Sequence, residues 1–178
     1  MSINSKEIDF LASLIYRLVE NLKIGNEHLY KQLVLITQNQ LCCIQVDHVK
    51  ITMETLGTKK YSLKVSGAKE NDRPIFITKG DIIRNIINGN YTLDYAMLKG
   101  LINVYGTIED LIRIHNLFIG ILSEGAVFPA LRELWDEFDR NWISSETDPI
   151  VSEIETQIVY NYNIFRNTDK DVLNAKIE

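Results

Sequence analysis

The chain has 178 residues, 46% of them hydrophobic and 24% charged, with a formal net charge of −5. This length suits one domain with a substantial core, and the acidic balance lacks the basic face of a nucleic-acid-binding protein. The opening residues, MSINSKEIDF, carry no secretory signal, and no apolar stretch approaches the ~20 residues that span a bilayer. We therefore expect a cytoplasmic protein with no transmembrane segment and no nucleic-acid partner.

Residues 5–23 have the pattern of an amphipathic helix. Apolar side chains recur at helical spacing, Ser5 can cap the helix, and Gly25 follows its end. Residues 1–25 are therefore predicted to form an N-terminal helix that packs on the main domain. The next segment, 27–37, fits either a second helix or a first strand, because short apolar runs do not separate the two.

A series of short apolar runs then predicts strands. They are LCCIQV, VKITMETL and YSLKVSG, followed by a fourth strand at 75–77, with a tight turn at Asp47 and His48. Neighbouring short strands favour antiparallel pairing.

The segment 80–122 combines helices and one more strand. Asp81 begins a helix that Gly89 ends, a short helix or turn follows at 91–99, and the strand LINVY lies between Gly100 and Gly106. Thr107 begins the next helix. The first of these helices carries four residues expected to face inward: Ile82, Ile83, Ile86 and Ile87.

The composition changes past Gly125. Residues 128–142 place large apolar side chains on one helical stripe, residues 143–148 are typical of a linker, and Pro149 begins another amphipathic helix. We interpret the chain as three parts: the N-terminal helix at 1–25, a main domain at 26–123, and a C-terminal helical extension with a frayed end at 124–178.

The sequence contains no recognisable catalytic or metal-binding pattern. His28, His48 and His115 are isolated from one another, and neither a phosphate-binding loop nor a nucleophile elbow occurs. Cys42 and Cys43 are adjacent in an apolar run, which favours buried, unreactive thiols. We therefore predict no catalytic residues, no metal and no cofactor.

Apolar residues are unusually concentrated between positions 82 and 122. Such a concentration is typical of a plain core, but it can equally line an apolar ligand tunnel, because ligand pockets are mostly apolar with few polar groups. Periodicity does not separate these two interpretations.

One part of this segment has a specific order. It contains Asp81-Ile82-Ile83, then Asn88-Gly89, then Ala96-Met97-Leu98-Lys99-Gly100, and then Leu101-Ile102-Asn103-Val104-Tyr105-Gly106. This order resembles the sterol carrier protein 2 family, the non-specific lipid-transfer proteins, and the Ala-x-x-x-Gly followed six positions later by glycine is its most specific part. With the strands upstream, the resemblance extends over about residues 27–122.

The resemblance implies an α+β fold with a five-stranded, mostly antiparallel sheet, helices on one face, and an apolar tunnel for a fatty acyl chain, an isoprenoid or a sterol. It brings no catalytic residues. The implied lining is Ile82, Ile86, Ala96, Met97, Ile102 and Val104, to which we add Leu111 and Phe118 from the concentration of apolar residues. Where the family has lysines on its last strand, Leu101, Asn103 and Tyr105 stand here, so we expect the C-terminal helices or a second subunit to cover that face.

Three functions follow as hypotheses. The first is a carrier that holds a lipid or another hydrophobic small molecule. The second is a non-catalytic scaffold with a filled core, which binds a protein partner or a second copy of itself through its C-terminal helices. The third is an enzyme that acts on a hydrophobic substrate through one polar group, with four candidates: Tyr95, Tyr105, His115 and Asp94.

Overall fold

A computed structural model describes residues 5–38, 40–56, 62–69 and 71–143. The elements of this part of the chain are α1 (Ser5–Gly25), α2 (Glu27–Thr37), β1 (Cys42–Val46), β2 (Val49–Leu56), β3 (Ser62–Gly67), β4 (Phe76–Thr78), α3 (Gly80–Ile87), α4 (Leu93–Leu98), β5 (Ile102–Val104), α5 (Ile108–Val127) and α6 (Pro129–Asn141). The ambiguous segment after α1 is therefore a helix. Asn26 caps it, since its side-chain oxygen accepts a hydrogen bond from the Leu29 N–H at 3.1 Å.

The strands form one five-stranded sheet in the order β3-β2-β1-β4-β5. β1 with β2, β2 with β3, and β4 with β5 pair antiparallel, whereas β1 and β4 pair parallel. The predicted fold class, a mostly antiparallel five-stranded α+β sheet with additional C-terminal helices, is confirmed.

The parallel pair departs from the antiparallel pairing expected among the first four strands. β4 does not pair with β3, the strand before it in the chain, but with β1. The chain therefore crosses β2 and β1 between β3 and β4, and β4 runs in the same direction as β1. The Ala68 N–H donates to the Lys50 carbonyl at 3.1 Å, and the Ile75 N–H donates to the Cys43 carbonyl at 2.8 Å. Both ends of the connection are therefore held by the sheet.

The main core lies between one face of the sheet and the helices. The strand register places Cys42 opposite Met53, Ile44 opposite Ile51, and Ile44 beside Phe76, so these side chains point to the same face. α1 packs against β2 and β3, and it also contacts α2 and α6, while α5 packs against α2 and α6. One continuous apolar cluster includes side chains from all these elements.

α3 packs less deeply than its sequence suggested. Ile82, Ile83, Ile86 and Ile87 were expected to face inward, but all four are half-buried, and Gly80 is the buried residue of this helix. The chain leaves α3 and α4 through Gly89 and Gly100, whose φ angles of 76° and 67° lie in the left-handed region that glycine adopts without strain. These two glycines belong to the pattern that gave the family resemblance.

The C-terminal helices share the core with the rest of the fold. Thr107 caps α5 through a capping box with Asp110, and the helix continues to Val127, past the predicted domain boundary at 123–124. In α6 and just after it, Phe138 and Trp142 are buried, and the Trp142 ring stacks on Phe10 of α1 with centroids 6.3 Å apart. Except for Ile143, the predicted linker at 143–148 and the helix beginning at Pro149 lie outside the described residues.

The face of β5 that was expected to need a cover, with Leu101, Asn103 and Tyr105, is only partly exposed to solvent. Asn103 is buried, and Leu101 and Tyr105 are half-buried. The Asn103 side-chain amide donates to the Gly100 carbonyl at 3.3 Å. Coverage by the C-terminal segment or by a second subunit stays a prediction.

Among the described helices, none has by itself the length and apolar character to cross a membrane. α5 and α6 reach that threshold only when they are taken together, and they are bent by 101° relative to each other.

Candidate ligand cavity

A cavity of about 190 Å³ lies inside the core, between the sheet and the helices. Its described lining is apolar except for Thr37, which carries a hydroxyl, and Cys42 and Trp135, which carry weaker polar groups. The lining residues are Leu11, Leu14, Ile15, Leu18, Val19, Leu22, Leu33, Ile36, Thr37, Cys42, Ile44, Val46, Met53, Ile75, Phe76, Ile83, Ile86, Ile87, Leu93, Ile102, Ile114, Leu117, Phe118, Ile121, Leu122, Leu134, Trp135 and Phe138.

The eight residues predicted to line a tunnel divide into two groups. Ile86, Ile102 and Phe118 line the cavity. Phe118 also stacks on Phe76, with ring centroids 5.0 Å apart and planes 8° from parallel, so this aromatic pair forms part of the cavity wall. The other five lie in the surrounding core outside the lining: Ile82, Ala96, Met97, Val104 and Leu111.

Much of the lining comes from helices beyond the segment of family resemblance. α1 contributes six residues, among them Leu11, Ile15, Leu18 and Leu22, and α6 contributes three more. The apolar stripe of α1 was visible in the sequence as a helical period. The sequence did not show that this stripe faces a cavity, because that depends on how closely α1 approaches the sheet.

Behind the cavity wall, beside α2 and Cys42, lies a pair of buried hydroxyls. Thr37 Oγ1 donates to the Leu33 carbonyl at 2.9 Å and lies 2.5 Å from Thr55 Oγ1. Cys42 Sγ lies 3.6 Å from the Ile36 carbonyl, a weak hydrogen bond. These polar groups are therefore bonded to one another and to the backbone, and the cavity surface beside them is apolar.

Both cysteines are buried free thiols. Burial raises the pKa of Cys42 to about 11, and it also raises the pKa of Cys43. A thiol with a raised pKa is protonated at neutral pH and is a poor nucleophile. Cys42 therefore contributes apolar volume to the cavity wall, while its S–H is directed to the Ile36 carbonyl.

A buried carboxylate fixes the N-terminal end of α3. Asp47, in the β1–β2 turn, has a φ of 52° and is 2% exposed. Its Oδ2 accepts hydrogen bonds from the Gly80 N–H at 3.1 Å and from Trp142 Nε1 at 2.8 Å. Its Oδ1 is buried and has no partner among the described residues. A carboxylate at the first turn of a helix also interacts favourably with the helix dipole.

A second contact holds α3 to α6 at the surface. Arg84 forms an ion pair with Asp81 at 2.7 Å and another with Asp139 at 3.1 Å, and it also donates to the Trp142 carbonyl. Together with Asp47, Arg84 holds the half-buried α3 against the C-terminal end of α6.

The polar residues considered for pocket chemistry do not line the cavity. Asp94 and His115 do come together, with His115 Nε2 and Asp94 Oδ1 2.9 Å apart. Tyr95 is exposed and Tyr105 is half-buried. All four lie in the described part of the chain and are outside the cavity lining. In the same part of the chain, no group of three or more His, Cys, Asp or Glu residues is arranged to hold a metal ion.

Comparison with protein-family models, with curated proteins and with solved structures finds no match to this chain.

Proposed function

We propose that this protein is a cytoplasmic carrier that holds the hydrocarbon chain of a hydrophobic small molecule or lipid in its internal cavity. The observation that supports it most directly is the apolar cavity of about 190 Å³, which is lined by residues of the sheet and of all six described helices. A pocket of this composition recognises ligands by shape and by the transfer of apolar surface from water.

The cavity volume limits the length of chain that fits. An apolar cavity of about 150 Å³ accommodates benzene, which has six carbons, so one of 190 Å³ has room for about eight carbons. Burying eight methylenes contributes about 6 kcal/mol, which corresponds to a Kd of tens of micromolar. The ligand is then a medium-length chain, or the first segment of a longer chain whose remainder leaves the cavity.

α3 is the proposed route of access. Ile83, Ile86 and Ile87 line the cavity while remaining half-buried, and α3 buries less of its apolar face than the longer helices do. Its described polar contacts with the rest of the fold are at Gly80 and Arg84, so residues 85–87, after them, are held to it mainly by apolar packing.

The other two hypotheses gain less support. The stripe that a scaffold would present to a partner is used within the chain, since Phe138 and Trp142 are buried against α1. The second candidate stripe, beginning at Ile154, lies outside the described residues. An enzyme would need a reactive polar group in the cavity, and the four candidates lie elsewhere.

Uptake of primary alcohols by the full-length protein tests the proposal. In calorimetric titrations, affinity should rise about fourfold with each added methylene and level off near eight carbons. Ile86→Trp should abolish uptake by filling the cavity from a half-buried position. The matched control, Ile119→Trp, changes an exposed residue of α5 outside the cavity lining and should bind like wild type. The proposal fails if wild type takes up no chain of any length, or if Ile86→Trp binds as well as wild type.

A further inference from the structure

α3 has the least extensive packing of the described helices. Its backbone makes no sustained close contact with another described element, whereas α1, α2, α5 and α6 each pack against at least two. Its inner face nevertheless forms part of the cavity wall through Ile83, Ile86 and Ile87. Moving α3 outward would therefore open the cavity while the rest of the helical layer stays in place.

The two ends of α3 are held differently. At its start, the Gly80 N–H donates to Asp47 Oδ2 at 3.1 Å, and the preceding strand β4 is paired within the sheet. At its other end, the chain turns through Gly89, which is exposed and borders open space, since no atom lies within 4 Å of a Cβ position there. The start of α3 is thus a fixed pivot, whereas its end is not packed against the fold.

Arg84, one turn into the helix, joins α3 to the C-terminal end of α6. Its Nε lies 3.1 Å from Asp139 Oδ1, and one of its terminal nitrogens donates to the Asp139 carbonyl at 3.2 Å and also to the Trp142 carbonyl. The guanidinium carbon lies 5.9 Å from the centre of the Phe138 ring. The polar contacts between α3 and α6 thus converge on this one side chain.

The α6 side of this contact is held in the core. Trp142 is buried, its ring stacks on Phe10, and its Nε1 donates to Asp47 Oδ2 at 2.8 Å. Asp47 therefore bonds both the pivot of α3 and the residue whose carbonyl accepts from Arg84. Because the receiving segment is fixed, breaking the Arg84 contacts would release α3 rather than displace α6.

We propose that α3 is a lid on the cavity and that Arg84 is the clasp that keeps it closed, so that this contact sets how fast a ligand enters and leaves. This inference rests on the proposed carrier function and specifies how access to the cavity is controlled. Arg84 lies outside the cavity lining, so weakening the clasp destabilises the closed form equally with and without ligand. The rate constants of entry and exit should then rise by the same factor, while their ratio, the Kd, stays constant.

Stopped-flow mixing of the full-length protein with 1-octanol measures both rate constants, through tryptophan fluorescence to which Trp135 in the lining contributes. Asp139→Asn keeps the side-chain shape and removes the charge, so it should raise both rate constants about threefold, the effect of a partly exposed ion pair. Arg84→Met keeps an apolar stem beside Phe138 and removes the polar contacts of the clasp, so both should rise by about tenfold. The matched control, Asp136→Asn, changes an exposed acid one turn earlier on α6 and should behave like wild type.

The reactivity of Cys42 measures lid opening without any ligand. Cys42 is a buried free thiol in the cavity lining, so a small thiol reagent reaches it only when the cavity opens. In a Cys43→Ala background, methyl methanethiosulfonate at pH 8 should modify Cys42 about threefold faster when Asp139→Asn is added. Adding Asp136→Asn instead should leave the rate unchanged.

The outcomes separate the lid from the function on which it rests. Entry, exit and labelling rates that stay at wild-type values in Asp139→Asn and Arg84→Met would overturn the lid and leave the carrier proposal standing. A change in Kd as large as the change in the exit rate, with entry unaltered, would also overturn it, because Arg84 would then act on the bound ligand. If 1-octanol does not bind to wild type, the carrier proposal fails, and Cys42 labelling still decides whether Arg84 holds α3 closed. If Arg84→Met fails to fold, Asp139→Asn decides the question, since it alters an exposed side chain.

Discussion

Removing the Asp47 carboxylate should destabilise the fold far more than removing a surface acid. Asp47→Ala eliminates the acceptor of two buried hydrogen bonds, those from the Gly80 N–H and from Trp142 Nε1. Hydrogen bonds to charged groups contribute about 1.5–3 kcal/mol each, so the two together amount to roughly 3–6 kcal/mol. Alanine in the left-handed conformation, which the φ of 52° requires, adds about 1 kcal/mol.

Urea denaturation of the full-length protein measures this loss. A matched control is Glu133→Ala, which removes an exposed acid from α6 and should change the free energy of unfolding by less than about 0.5 kcal/mol. Trp142→Phe removes the indole donor together with part of a buried ring, so its loss should include that hydrogen bond and some packing free energy. The double variant should lose less than the sum of the two single losses, because both remove the same bond.

Two results would refute this reasoning. One is an Asp47→Ala variant within about 0.5 kcal/mol of wild type, which would mean that the carboxylate is not a buried acceptor. The other is strict additivity of Asp47→Ala and Trp142→Phe, which would mean that the two side chains do not interact.

Three further changes test other parts of the structure. Gly100→Ala should lower the free energy of unfolding by about 1–2 kcal/mol in the same denaturation assay. The reason is the φ of 67°, which disfavours alanine, since no atom lies within 4 Å of the new Cβ. Gly100→Asn should lose less, because asparagine adopts this conformation more readily. Because of Cys42, the free energy of unfolding should fall as the pH rises from 9 to about 11. In this range the thiol of the unfolded chain ionises, while the buried thiol of the folded chain stays protonated. The loss from Cys42 should be about 1.4 kcal/mol per pH unit by thermal melts, and Cys42→Val should reduce the slope without removing the part that Cys43 contributes. Phe118→Ala should lengthen the preferred alcohol beyond eight carbons in the titration series while lowering stability by about 3–5 kcal/mol, and an unchanged length optimum would contradict its place in the wall.

Local features of the fold were predictable because they depend on neighbours in sequence. The turn at Asp47 and His48 was recognised between two strands, and the structure places a turn there. The Thr107 helix start was recognised from a capping pattern that the structure contains. The α2 segment was ambiguous because its apolar run is too short for the periods of 3.6 and 2 to separate.

The arrangement around the cavity could not be predicted because its determinants are far apart in the chain. The partners of Asp47 are 33 and 95 residues away, and the pattern around Asp47 indicated only a turn. The Thr37–Thr55 pair likewise joins a helix to a strand that was predicted separately. Periodicity identifies which side of an element faces inward, whereas the distance between two inward faces decides whether they form a core or a cavity.

The size of the cavity has a consequence for the stability of the folded protein. An empty apolar cavity of 190 Å³ costs about 4–5 kcal/mol at the penalty measured for cavities in protein cores, which is comparable to the entire stability of a marginal domain. Val46 and Cys42, which line the cavity, are smaller than Ile44 on the same strand. A chain that merely needed a scaffold could recover much of that free energy by filling these positions. In the proposed carrier, a bound apolar ligand would supply these missing contacts and so stabilise the folded state.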